Sequence, residues 1–283
     1  MKRLVRTELD KALRNQWFVV AVAIATILAV ASAGMSIDMQ RTFGLSMSQD
    51  EWMGMGATGA YSSWVFVGTG DLFVSGIFFF ILPLLVTLPY CASLLDEENT
   101  GALAHQYANA SRRHVITARY IAVFISSGLV AAIPLMVNFA VLLCCVPAST
   151  PEVSSNLYMA MVEQELWSGL YYSLPLLYVV ANTALDFILA GAWGGAVLAF
   201  STIARGRVEL LVGSYLMVLA IDFGSKYLFG LLGVQAVNVS LLSLLHAGNS
   251  GIVRTPLPIM LLIVFLFGIS VFLLKRFLGR DLL

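Results

Sequence analysis

Ionisable side chains are scarce in this chain, so the places where they gather carry whatever chemistry it has. The densest run is LLDEENTGALAHQYANASRRHVITARY, Leu94 to Tyr120, in which Asp96, Glu97 and Glu98 precede Arg112, Arg113, His114 and Arg119. Neighbouring carboxylates can do acid-base work or bind a cation. The arginine that an intramembrane protease built on Glu97 and Glu98 would need a few residues later is replaced by Ala102. A rhomboid-type nucleophile is missing too, since Gly44-Leu45-Ser46 is followed by Met47 where a second glycine is required. His105, His114 and His246 are scattered with no HExxH pattern, and Cys91, Cys144 and Cys145 have neither metal nor disulfide spacing. No GxxxxGK[ST] loop is present to cradle nucleotide phosphates. The residues therefore predict no catalytic centre, no metal site and no cofactor on this chain.

The elements that must position these charges are membrane helices. Hydrophobic residues make up 59% of the 283 and charged ones 11%, with a mean hydropathy of +0.88, more apolar surface than one water-soluble core can bury. Sixteen basic and sixteen acidic residues leave no net field to attract nucleic acid. Continuous apolar runs, rather than short alternating ones, exclude a β-barrel. The fold class is thus all-α, a polytopic membrane protein with six transmembrane helices near 17–35, 72–95, 120–146, 182–204, 208–232 and 257–275. Residues 36–70 form an outer loop, and 158–180 and 233–256 are semi-apolar outer segments. Pro83, Pro89 and Pro134 are expected to bend or break the second and third spans.

Lys and Arg set the orientation. With a cytoplasmic N-terminus, every basic residue except Arg41, Lys226 and Arg254 falls in an inner segment, which the positive-inside rule selects. Both termini and the Leu94–Tyr120 stretch are then cytosolic, with the chain in the cell membrane. Ala29, Ala31 and Ala33 could mimic a signal-peptidase site. Residues 1–16, however, carry Glu8 and Asp10 among five basic residues, with Leu4, Val5, Leu9, Ala12 and Leu13 on one helical face. That pattern predicts an interfacial amphipathic helix leading into an uncleaved first span.

In the opening stretch the spacing predicts Asp96 as N-cap of a helix from about Glu97 to Ala108, its acids at the positive end of the dipole. Leu103 and Tyr107 share a face with Thr100, Ala104 and Ala108, and Arg112, Arg113 and His114 fall beyond its end. An ordinary solvated loop that only fixes topology is the alternative. Within the spans, Asp186, Asp222 and Lys226 are the intramembrane charges, each roughly 20–27 Å from the inner end of its helix. Asp222 and Lys226 are i,i+4 and in the order that favours an ion pair.

Taken together, the stretch resembles the coupling region of permease subunits of type-two ATP-binding-cassette (ABC) exporters. Glu97-x-x-x-Gly101-x-Leu103, Ser111-Arg112-Arg113 and Arg119 stand where that family has a Glu-x-x-x-Gly-x-Leu pattern, a Ser-Arg pair and a Lys before the third span. The chain departs from it at Asn109-Ala110, where a proline is usual, at Arg119, and by a spacing one residue shorter. The resemblance covers the whole chain as a single permease domain, 1–283, with 1–16 as an elbow helix and 96–115 as the cytosolic coupling region. It implies ABC ATPase subunits that carry ATP and magnesium, a second permease copy or homologue, and an exported substrate. It also implies docking through Glu97, Glu98, Gly101, Leu103, Tyr107, Arg112, Arg113 and Arg119, and a re-entrant outer element around Val239 to Leu245. The competing reading is an ATP-independent secondary transporter or membrane sensor working through Asp186, Asp222 and Lys226.

Overall fold

The structure is a computed structural model, and it describes residues 1–46, 59–67, 72–151, 165–231, 240–246 and 254–279. Those residues form helices and turns with no strand. The helices are α1 (Lys2–Leu13), α2 (Gln16–Ser46), α3 (Leu72–Thr87), α4 (Ser93–Asn99), α5 (Ala102–Asn109), α6 (Arg112–Cys145), α7 (Ser168–Ser173), α8 (Pro175–Phe200), α9 (Arg207–Leu231), α10 (Leu241–Leu245) and α11 (Pro256–Leu278). Five of them, α2, α6, α8, α9 and α11, are long and apolar enough to cross a bilayer. The chain is a polytopic α-helical membrane protein.

Boundaries differ from the sequence reading where proline and capping decide them. The second predicted span, 72–95, ends early, because Pro89 has no N–H to give and the Leu85 carbonyl is taken instead by the Leu88 N–H at 3.2 Å. The 16 residues of α3 make a helix of roughly 24 Å, short of a 30 Å hydrocarbon core. Pro83 and Pro134 stay inside α3 and α6. Pro175 and Pro256 instead start α8 and α11 at the first helical turn, where a missing N–H is harmless. The outer loop also shrinks, since α2 runs on through residues 36–46. Residues 59–67 then fold back into the bundle, with Trp64, Val65, Phe66 and Val67 fully buried. The Trp64 indole N–H donates to the Leu135 carbonyl at 3.1 Å and the Val65 N–H to Asn138 Oδ1 at 3.1 Å. The short helix α10 stands where a re-entrant element was predicted, capped by Ser240, whose Oγ accepts the Ser243 N–H; Val239 lies outside the described residues.

Packing is built on small residues. Ala21, Ala25, Ala29 and Ala33 are all fully buried, one stripe at four-residue spacing that seats α2 on α6. Two of them are alanines that resembled a cleavage site. Asn138 Nδ2 closes the same seam by donating to the Ala29 carbonyl at 2.6 Å. The opposite face of α2, with Val19 and Ile27, is exposed and apolar, as a lipid-facing surface must be. The α6–α8 contact is closer still. A Cβ on Gly194 would lie 2.1 Å from Ser127 Oγ, and one on Gly128 would lie 2.6 Å from the Phe187 ring, so these glycines let side chains of the facing helix sit directly on the helix backbone.

The first turns of α6 and α9 and the last turns of α8 and α11 meet at one end of the bundle, together with the chain after α3 and with α1, α4 and α5. Lys2, Arg3, Arg6, Lys11, Arg14, Arg112, Arg113, Arg119, Arg205, Arg207, Lys275 and Arg276 belong to these elements. It is the basic end, and the N-terminus and the last turn of α11 both lie there.

Candidate functional site: a buried charge cluster at the basic end

The predicted single helix from Glu97 to Ala108 is two helices, α4 and α5, hinged at Gly101. Gly101 has φ +73° and ψ 2°, a left-handed conformation that glycine adopts without a Cβ penalty. Asp96 is not the N-cap. That position belongs to Ala92, and α4 starts four residues earlier than predicted because Ser93, Leu94 and Leu95 bury against the bundle. Arg112, Arg113 and Arg119 likewise do not lie in a loop; α6 begins at Arg112, directly after Ser111 in extended conformation.

The hinge folds the opening stretch onto itself and brings its charges together. Arg119, 1% exposed, sits inside α6 and donates from Nε to Glu8 Oε2 of α1 at 3.3 Å. Its Nη2 pairs with Glu97 Oε2 of α4 and donates to Gln106 Oε1 of α5 at 3.2 Å. Gln106 Nε2 donates in turn to Glu97 Oε2 at 2.7 Å. Lys11 reaches Glu8 at 2.8 Å and Glu97 at 3.8 Å, and the Tyr90 hydroxyl donates to Glu8 Oε2 at 2.9 Å. Two carboxylates thus face two cations, and Tyr90 and Gln106 donate to the carboxylates as a buried charge requires, while Arg119 Nη1 has no hydrogen-bond partner among the described residues. Burial alone would raise the Glu8 carboxyl, but the Lys11 hydrogen bond, the Arg119 charge and the Tyr90 hydroxyl together hold it below its ordinary value. The cluster ties α1, the turn after α3, α4, α5 and α6 into one unit.

Of the predicted coupling residues, Glu97 and Arg119 are cluster members, and Glu98 and Gly101 are exposed at the tip of the α4–α5 hinge. Leu103 is 3% exposed and packs into the chain's own core, so it is not free to enter a partner's groove. Tyr107 is half-buried with the Arg112 guanidinium 5.4 Å from its ring centroid. Among the α4–α5 residues whose burial is described, Glu98, Asn99, Thr100, Gly101, His105 and Ala108 are exposed.

Sequence reasoning missed Glu8 as a site residue. The signal was there, because Glu8 lies at i+4 from Leu4 and i−4 from Ala12, in the middle of the apolar stripe of α1. An acid in that position needs a buried cation, and Arg119 is the basic residue carried into the third apolar run.

At the opposite end the intramembrane charges form two separate ties. Asp222 Oδ2 accepts from Lys226 at 2.6 Å, as the i,i+4 spacing predicts. Its Oδ1 also accepts the hydroxyls of Ser240 and Ser243, the latter at 3.1 Å, which joins α9 to α10. Asp186 is not part of this set. It faces Arg254 at 3.6 Å with both side chains buried, and Arg254 also donates to Asn182 Oδ1 at 3.3 Å and lies 4.7 Å from the Phe66 ring centroid. Arg254, counted by the sequence reading as an outer residue without a role, is the partner Asp186 needs. Among the described residues no group of His, Cys, Asp and Glu could hold a metal ion. No family model and no curated protein matches the chain.

Proposed function

We propose that the chain is the transmembrane subunit of an ABC exporter. In this reading α3, extended by the turn at Leu88–Ala92, is a sixth crossing, both termini are cytoplasmic in the cell membrane, α1 is the elbow helix and α4–α5 is the coupling region. ATP and magnesium are used by a separate nucleotide-binding subunit, and two permease copies or homologues enclose the path of the exported substrate. The observation that supports this best is that Glu97 and Arg119, two of the charged positions set against the family pattern, are bonded to each other and, through Arg119, to Glu8 of α1. A displacement of the exposed α4–α5 tip would therefore be passed to α1 and α6 together rather than absorbed by a loose loop.

The test is purification from native membranes. The chain alone should hydrolyse no ATP, should copurify with a soluble ATPase subunit, and should raise or lower that subunit's turnover when reconstituted with it. Glu97→Gln should keep the association and weaken the coupling between turnover and export. The rival reading, a secondary transporter or sensor, is favoured by Asp186, whose buried carboxylate receives no hydrogen bond among the described residues and faces Arg254. Activity that survives ATP depletion but stops when ion gradients are collapsed, with no ATPase copurifying, would decide for that reading.

A further inference from the structure

Where α2 and α9 begin and the chain leaves α3, a recess of about 300 Å³ opens at the basic end, with Asn15, Trp17, Leu88, Ser93, Asp96 and Arg207 in its wall. Asp96 Oδ2 and Arg207 Nη1 face each other across 3.9 Å, both side chains partly exposed, and at that distance neither charge uses a hydrogen bond on the other. The Arg207 guanidinium also lies 5.2 Å from the centroid of the Trp17 ring. Ser93 is 9% exposed, and its Oγ has no hydrogen-bond partner among the described residues. Asn15 holds the rim in place by donating to the Pro89 carbonyl and accepting the Trp17 N–H. From the recess an apolar strip leads into the membrane: Leu88, Leu84 and Phe80 follow at four-residue spacing along α3 and the turn after it, none of them buried. The Tyr215 hydroxyl fixes α9 beside this strip by donating to the Phe80 carbonyl at 3.0 Å. A recess that carries both signs of charge, with a tryptophan at the interface and an apolar strip running from it, has the form of a zwitterionic phospholipid.

We infer that the recess binds one phosphatidylethanolamine, its ammonium donating to Asp96 and Ser93 Oγ, its phosphate accepting from Arg207, and an acyl chain lying along Leu88, Leu84 and Phe80. The ethylene spacer between ammonium and phosphate is short enough for the headgroup to lie alongside the Asp96–Arg207 pair with each charge against its opposite. Phosphatidylcholine carries the same charges, but its trimethylammonium has no N–H to donate. The Trp17 ring, which would otherwise attract that group, is engaged by Arg207. Phosphatidylglycerol supplies a phosphate for Arg207 and no cation for Asp96. The site needs only that the chain spans the membrane, so it stands or falls independently of the exporter reading.

The purified full chain is titrated in detergent with the dioleoyl forms of phosphatidylethanolamine, phosphatidylcholine or phosphatidylglycerol, and the adducts are counted by native mass spectrometry. One phosphatidylethanolamine should be retained in preference to both other lipids. Asp96→Asn and Arg207→Gln should each weaken that adduct about tenfold or more, and Arg207→Lys should keep part of it. The exchange Asp96→Arg with Arg207→Asp preserves the ion pair and the net charge but reverses its direction. Because the phosphate is tethered to the glycerol, the headgroup cannot turn round to follow, so the exchange should lose the adduct while the melting temperature stays near the wild-type value. Glu98→Gln with Arg113→Gln removes one acid and one base elsewhere at the same end and should leave the adduct intact. Equal retention of phosphatidylethanolamine and phosphatidylcholine, preference for phosphatidylglycerol, full binding by the exchanged pair, an equal loss in the Glu98/Arg113 control, or displacement of the lipid by millimolar glycerophosphoethanolamine would each overturn the proposal.

Discussion

Arg119 of α6 and Glu8 of α1 are 111 residues apart in sequence and bonded at 3.3 Å inside the protein. Few other contacts join the N-terminal helix to the bundle by a specific pair, and this one cannot be removed from one side alone without leaving charge behind. Arg119→Met strands the Glu8 and Glu97 carboxylates together, and breaking a buried pair in this way destabilises by about 3–5 kcal/mol. Adding Glu8→Gln and Glu97→Gln to Arg119→Met should recover most of that loss. Thermal unfolding in detergent measures both, and a single variant no weaker than the triple would show that the cluster is not a closed unit.

The same pair makes the basic end sensitive to acid. Glu8 is held below its ordinary value of 4.5, so its contribution is present at pH above that value and is lost as the pH falls through the lower folded value. Stability should therefore drop on the acid side, and Glu8→Gln should be less stable at neutral pH with a flatter acid limb. Melting temperatures from pH 7 down to about 3 test the sign. A wild-type curve parallel to that of Glu8→Gln would contradict it.

What the sequence made legible follows from distance along the chain. Asp222 and Lys226 are one helical turn apart, and their bond forms as the spacing requires. Arg254 and Asp186 pair across 68 positions with no local pattern to announce it, and the serines on Asp222 come from a helix that single-sequence reading could place but not orient. The apolar runs gave α6, α8, α9 and α11 within a few residues to a turn at most ends, yet α6 extends to Arg112 because Ser111 starts it. The hinge at Gly101 was hidden, since periodicity on either side of it is compatible with one helix. Leu103 was read as a surface anchor because amphipathic spacing marks an apolar face without saying whether the chain or a partner covers it.

The hinge itself can be tested. A Cβ at Gly101 would meet nothing within 4 Å, so Gly101→Ala changes only the backbone preference. With φ at +73° the expected destabilisation is about 1–2 kcal/mol, and Gly101→Asn should be milder because asparagine tolerates that region. An alanine variant as stable as wild type would mean that α4 and α5 can join as one helix.

Helix approach is tested at Gly194. Ser127 Oγ lies 2.1 Å from a Cβ placed there and donates to the Val86 carbonyl at 2.9 Å, so it is not free to turn away. Gly194→Ala should overpack the α6–α8 seam and cost about 1–3 kcal/mol, while Gly213→Ala, with nothing within 4 Å, should be neutral or gain up to about 1 kcal/mol from helix propensity. Adding Ser127→Gly to Gly194→Ala should relieve the contact. Equal melting temperatures for the two single variants would show that the seam is looser than this packing implies.

Burial divides the α4–α5 region into a part that holds the fold and a part that a partner can touch, and the two should separate by mutation. Leu103 is 3% exposed in the chain's own core, so Leu103→Ala should lower stability by about 2–5 kcal/mol whether or not any partner is present. Glu98 and His105 are exposed at the tip, and substitutions there should change stability by less than about 0.5 kcal/mol. If the tip is the docking surface of an ATPase subunit, Glu98→Arg with His105→Glu should weaken copurification of that subunit while the melting temperature stays at the wild-type value. The measurement is a pair of numbers for each variant, unfolding midpoint and bound ATPase per chain. Loss of ATPase from Leu103→Ala alone, with stability unchanged and the tip variants fully associated, would return the apolar face of α5 to the interface and remove the tip from it.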